Sequence, residues 1–262
     1  MKKINLLFTL FIALLVMFSS CKPDDKNDTP NPTNNTPTGN VTVKVNHTFG
    51  AAAFDFTSTF KNPSDNTEDM TFSSIQYILS NFELQTTDGT WVPVPESYYY
   101  INGKQSQSLS FILKDVKVQD YKAVRFLIGV DSTRNVSGAQ TGGLDPATGM
   151  FWSWNTGYIF FKVEGDCPQL TTPFGSSNFV YHIGGFNGQY NALVWAEASF
   201  GSKTLSVKSG SNTLLLKADV EEVFKKPIAF ELTNTPQITL NGPEAVAFAL
   251  NYADMFSVTD IE

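Results

Sequence analysis

The 262 residues contain only two imidazoles, His47 and His182. Sites built on three histidines are therefore excluded, among them carbonic-anhydrase-like and metalloprotease zinc centres. Each histidine admits two accounts: a polar strand residue hydrogen-bonded to a neighbour, or a metal ligand. Trp152 and Trp154 stand two apart, a spacing that puts both indoles on one face of a strand. They could pack in the core or on its rim. As intact indoles they cannot ligate a metal, because the indole N–H only donates. Asp131 and Asp145 flank a long loop and could act as carboxylates or calcium ligands, although aspartate next to proline and glycine ordinarily forms turns. Asp65, Thr67 and Asp69 are spaced like part of a calcium loop but lack its glycine and closing glutamate, which predicts a solvated turn.

Nucleophilic and phosphate-binding motifs are missing. The sequence has no G-x-S-x-G elbow, no Walker loop, no G-x-G-x-x-G before a helix and no C-x-x-C. No nucleophile can be paired with a base, so the chain is expected not to be an enzyme. The remaining reactive side chains are two thiols, Cys21 and Cys167. Cys21 follows Lys2, Lys3, an apolar run to Phe18, and Ser19-Ser20. This is the layout of a signal peptide over residues 1–20, with a lipidation site at Cys21 and a run too short to span a bilayer. With Cys21 lipidated, Cys167 has no partner for a disulfide within the chain.

Residues 21–40 are made mostly of Pro, Asn, Thr, Asp and Gly, with no apolar faces to bury, and predict a flexible tether. Its Lys22-Pro23-Asp24-Asp25 start resembles the export signal of lipoproteins carried to the outside of the outer membrane, so an outer-membrane lipid anchor is the expected localisation. The chain carries 18 basic and 25 acidic residues; losing Lys2 and Lys3 leaves 16 against 25, a charge of −9. Such a balance argues against nucleic acid and anionic lipid as partners.

From Val41 onward the periodicity is that of strands. Val41, Val43 and Val45 alternate, as do Phe54, Phe56 and Phe60, the stretch Phe72 to Leu84, and Val124 to Val130. Further runs are Tyr158 to Val163, Phe179 to Ile183, Ala192 to Phe200 and Thr213 to Leu216. Asp88-Gly89, Asn102-Gly103, Asn187-Gly188 and Asn241-Gly242 punctuate them as turns. The best helical pattern is Asp219 to Lys226, with Asp219 as cap and Pro227 as stop. Residues 41–262 thus predict one all-β domain, an antiparallel β-sandwich with one long loop, Asp131 to Gly149, and little helix. So much apolar sequence follows the loop that it is expected to be ordered.

That loop carries a resemblance. Gly129–Ser132 through Gly143–Pro146, followed by Gly149–Tyr158 with its two tryptophans, resembles the MbnP-like family. Tyr77–Leu84 with Asp88-Gly89 is similar to the family's early strand and hairpin, and Phe179–Gly184 to a later strand. Together these cover most of residues 41–262. The family includes proteins associated with methanobactin handling and a copper-scavenging surface protein of methane-oxidising bacteria. In copper-binding members a tryptophan is oxidised to kynurenine, and its aromatic amine joins two histidines around the metal; a dihaem peroxidase is the associated partner. Opening the indole frees a nitrogen lone pair, and two imidazoles plus an amine suit low-coordinate Cu(I). The resemblance therefore implies Trp152 or Trp154 as the oxidised residue and His182, inside a matching segment, as a ligand. His47 would have to be the second, because the chain has no third. The competing account is a surface structural or interaction protein without metal, in which the loop and the indole pair dock a partner or glycan.

Overall fold

The computed structural model describes residues 36–262 apart from 153–156, 171–174 and 209. The signal peptide, Cys21 and Trp154 lie outside the described residues. Two sheets face one another. The smaller is built on β1 (Thr38–Phe49), β5 (Ser110–Lys117), β10 (Ser211–Asp219) and β12 (Phe256–Ile261), with a short strand at Ala52–Ala53. The larger centres on β2 (Asp69–Thr86) and holds β3 (Trp91–Pro93), β4 (Tyr98–Asn102) and β6 (Asp120–Ile128). It continues through β7 (Ile159–Asp166), β8 (Asn178–Gly184), β9 (Val194–Ser199) and β11 (Gln237–Ile238), with short strands at Phe60–Lys61 and Leu205–Ser206.

The expected all-β architecture is present, with one amendment to its wholly antiparallel form. β1 pairs with β10 in parallel, Val43 opposite Leu214, and β8 pairs with β11 in parallel. β1 begins at Thr38, three residues before the start expected from composition, because Thr38 and Gly39 already pair with β5.

β2 supplies much of the core and is not a regular strand. Phe72 meets Phe49, Tyr77 meets His47 and Phe82 meets Phe111, all on the smaller sheet. Residues on one face of a regular strand are an even number apart, yet these lie five apart. Each odd interval needs a bulge, and the pairing is irregular at Phe72/Ser74 and again at Ser80/Glu83. Asn81, in the second bulge, has φ of 51°, a left-handed conformation that asparagine tolerates better than most residues.

Where helix and turn were expected, the chain differs. The helix expected over Asp219 to Lys226 is present but confined to α2 (Glu222–Lys225); Asp219 ends β10 instead of capping it, and its carboxylate accepts from Gly50 N and Glu221 N. Asp55 accepts hydrogen bonds from Thr57 and Ser58, so a turn occupies most of the strand expected over Phe54 to Phe60. Asn241-Gly242 does not join two strands. Gly242 precedes α3 (Pro243–Tyr252), with proline in its first turn. Ala245, Phe248, Ala249 and Tyr252 form its buried stripe, and it closes one end of the sandwich by packing Phe248 on Tyr181 and Tyr252 on Phe161. A buried carboxylate, Glu68, anchors the segment before α3 by accepting from Asn62 Nδ2, Leu232 N and Thr233 N at 2.6, 2.8 and 2.6 Å.

Candidate functional site

β8 places Tyr181 and Ile183 in the core and His182 on the opposite face. Across the sheet, His182 pairs with Lys162 of β7 and Lys162 with Gln76 of β2, so these three share the outer face. His182 Nε2 is 2.7 Å from Glu164 Oε1, and Lys162 Nζ is 3.4 Å from the same oxygen. The hydrogen bond from His182, and then the charge of Lys162, hold the Glu164 carboxyl below its usual range. With Nε2 committed to a carboxylate, the imidazole keeps Nδ1 for another partner. This is the carboxylate–histidine arrangement that orients metal-ligating imidazoles.

His47 is elsewhere. It belongs to the same face of β1 as Val41, Val43 and Val45, is 7% exposed, and pairs its Nε2 with the Tyr77 hydroxyl at 2.9 Å. Burial pulls its pKa down to about 4, so the ring is neutral in the fold. Tyr77 stacks on Phe161, which pairs across the sheet with Ile183. Tyr77, Phe161 and Ile183 therefore define the inner face, and Gln76, Lys162 and His182 the outer one. The two histidines lie on opposite sides of the larger sheet. One metal ion cannot take both, and the two-histidine set that the resemblance implies is not assembled here.

Trp152 lies at the His182 end of β8. A Cβ at Gly184 would come within 2.5 Å of the indole Cη2 and Cζ3, so only glycine lets the ring sit there. Gly184 is two positions from His182, and the extra residue at the local pairing irregularity falls in β7, so alternation along β8 holds. The indole thus packs on the same side of β8 as His182, two positions further along the strand. Trp152 is 3% exposed, which removes it as a docking surface.

The loop before it is ordered by its own polar side chains. Asp131 caps α1 (Ser132–Asn135) by accepting from Arg134 N, and its other oxygen accepts from Tyr98 Oη at 2.7 Å and Asn81 Nδ2 at 3.2 Å. Desolvation would raise its pKa, but these donors outweigh it and the carboxyl stays low. Asp145 accepts from Ala147 N and caps the short turn at Pro146–Thr148. Both aspartates are turn formers, and their side chains share no hydrogen-bond partner. Asn135 Oδ1 accepts from Tyr158 N at 2.9 Å, and Tyr158 Oη donates to Leu144 O at 2.7 Å, tying loop to strand.

A family model, MbnP, matches residues 38–241. The chain belongs to the MbnP family. Among solved structures, MbnP from Methylosinus trichosporium aligns over 80% of this chain and 87% of that one, with a TM-score of 0.54 at 15% identity, a likeness of fold. Comparison with curated proteins returns no match. Within this MbnP fold, sequence reasoning missed Glu164 and Lys162, although their alternation with Val163 already put them on the face of His182. It also missed Trp91 and Trp195, which are distant in sequence and meet only through the sheet.

Proposed function

We propose that this member of the MbnP family is a cell-envelope lipoprotein that binds copper at a site centred on His182, without His47. The single observation that carries the reading is the His182–Glu164 pair at 2.7 Å, two strand positions from the glycine on which the Trp152 indole packs, in a chain of this family. Glu164 fixes the proton on Nε2 and leaves the Nδ1 lone pair for the metal. One imidazole is a sparse donor set, and a tryptophan-derived amine from residue 152 or 154 would supply a second donor. Two nitrogen donors suit Cu(I), which accepts low coordination numbers. That amine requires oxidative opening of the indole, for which a dihaem peroxidase is the proposed partner. Lipidation at Cys21 and an outer-membrane location belong to the same proposal and rest on the sequence of residues 1–26. The role is capture or storage, with no turnover.

The test is to express the chain with and without a cognate dihaem peroxidase, then measure bound copper and the mass of the peptide spanning Trp152 and Trp154, with His182→Ala as control. The reading expects copper in the native chain, none in His182→Ala, and on the tryptophan peptide a net mass change of one oxygen gained and one carbon lost, the change from tryptophan to kynurenine. Copper retained by His182→Ala overturns the site.

A further inference from the structure

A different part of the larger sheet carries a second surface. On the outer face, β3, β2, β6 and β9 run side by side, with Gln85 opposite Trp91, Glu83 opposite Arg125 and Arg125 opposite Glu197. The Arg125 guanidinium sits over the Trp91 ring at 4.4 Å and over the Trp195 ring at 5.1 Å. Trp195 is 46% exposed, an unusual state for the largest apolar side chain, and Glu197 beside it is also exposed. The guanidinium is not a free charge, because Arg125 Nε donates to Glu83 Oε2 at 2.6 Å. With both distances measured to the same carbon, the two indoles lie within about 10 Å of one another.

We propose that the face formed by Trp91, Arg125 and Trp195 binds an uncharged polysaccharide chain. Indole faces match the C–H faces of sugar rings, and both indoles fit within the span of a short oligosaccharide. Glu83, Glu197, Gln85 and the remaining guanidinium N–H groups supply donors and acceptors for hydroxyls around those rings. Charge selects the class of partner. Arg125 is neutralised by Glu83, Glu197 adds a negative charge, and the whole chain is at −7. Nucleic acids, sulfated or uronic glycans and anionic lipid are therefore repelled, whereas an uncharged chain pays no such penalty. The site is separate from His182, so its occupancy does not depend on copper.

The test uses the full chain in detergent with a metal chelator present, run through native gels containing amylopectin, xylan, β-glucan or dextran sulfate, together with sedimentation against phosphatidylcholine vesicles. The proposal expects retardation by at least one of the neutral polysaccharides, an affinity loss of about tenfold or more in Trp195→Ala, and no retardation by dextran sulfate. Trp195→Phe, which keeps an aromatic face, retains part of the binding, and the melting temperature of each variant separates lost binding from lost fold. Retardation by none of the neutral polymers overturns the proposal, as does binding undiminished in a folded Trp195→Ala. Binding to dextran sulfate or to vesicles in preference to the neutral polymers also overturns it. Failure here leaves the copper proposal standing, and failure of copper binding leaves this one.

Discussion

Replacing His47 with glutamine separates its role in the core from any role at a metal. In the fold the imidazole is buried, bonded to Tyr77 Oη, and has its pKa lowered to about 4 by desolvation. In the unfolded chain it titrates near about 6.5. Between those values the unfolded state binds the extra proton, so stability is complete above the unfolded pKa and falls as pH drops towards the folded one. The linkage relation gives a loss of about 2.5 kcal/mol by pH 4.5, a large share of a domain's total stability. Glutamine keeps a polar partner for Tyr77 but does not titrate. Urea denaturation at pH 7.5 and pH 4.5 should show the native chain losing about 2.5 kcal/mol more than His47→Gln across that interval. At pH 7.5 the variant is the less stable of the two by about 1 kcal/mol, the cost of an imperfect hydrogen bond. Copper bound per chain should be the same in both. Equal pH dependence would show that His47 is not buried neutral, and loss of copper in the variant would make His47 a ligand and refute the opposite-face assignment.

Three further substitutions test other parts of the account. Gly184→Ala forces a methyl to within 2.5 Å of the Trp152 ring; it should cost about 1–3 kcal/mol in chemical denaturation and shift the tryptophan emission. Glu68→Ala removes the acceptor of the buried Leu232 N–H and of one Asn62 Nδ2 hydrogen, together with the bond from Thr233 N, and should destabilise by about 3 kcal/mol, read as a lowered melting temperature. Glu164→Gln removes the carboxylate that orients His182 and should weaken copper binding about 10- to 100-fold in a competition titration, with little change in stability.

Much of the sandwich was legible because period-two burial is a direct consequence of strand geometry. Val41, Val43 and Val45 announce β1, and the same parity places His47 in the core with them. The bulged β2 was legible as a strand but not in its register, since odd spacings within Phe72, Tyr77 and Phe82 show only once the facing residues are known. α3 was missed because its apolar positions are largely alanines interleaved with others, and Asn241-Gly242 before it has turn chemistry that serves a helix start equally well. Which histidine faces which way follows from parity, whereas the meeting of Trp91, Arg125 and Trp195 depends on strand order, which no local pattern encodes.

The central claim is a copper centre with a single imidazole, that of His182. X-ray absorption at the copper edge of the loaded native chain counts imidazoles directly through their multiple-scattering signature. One histidine per copper, with the signal abolished in His182→Ala and unchanged in His47→Gln, is the predicted result. Two histidines per copper in the folded chain would contradict it.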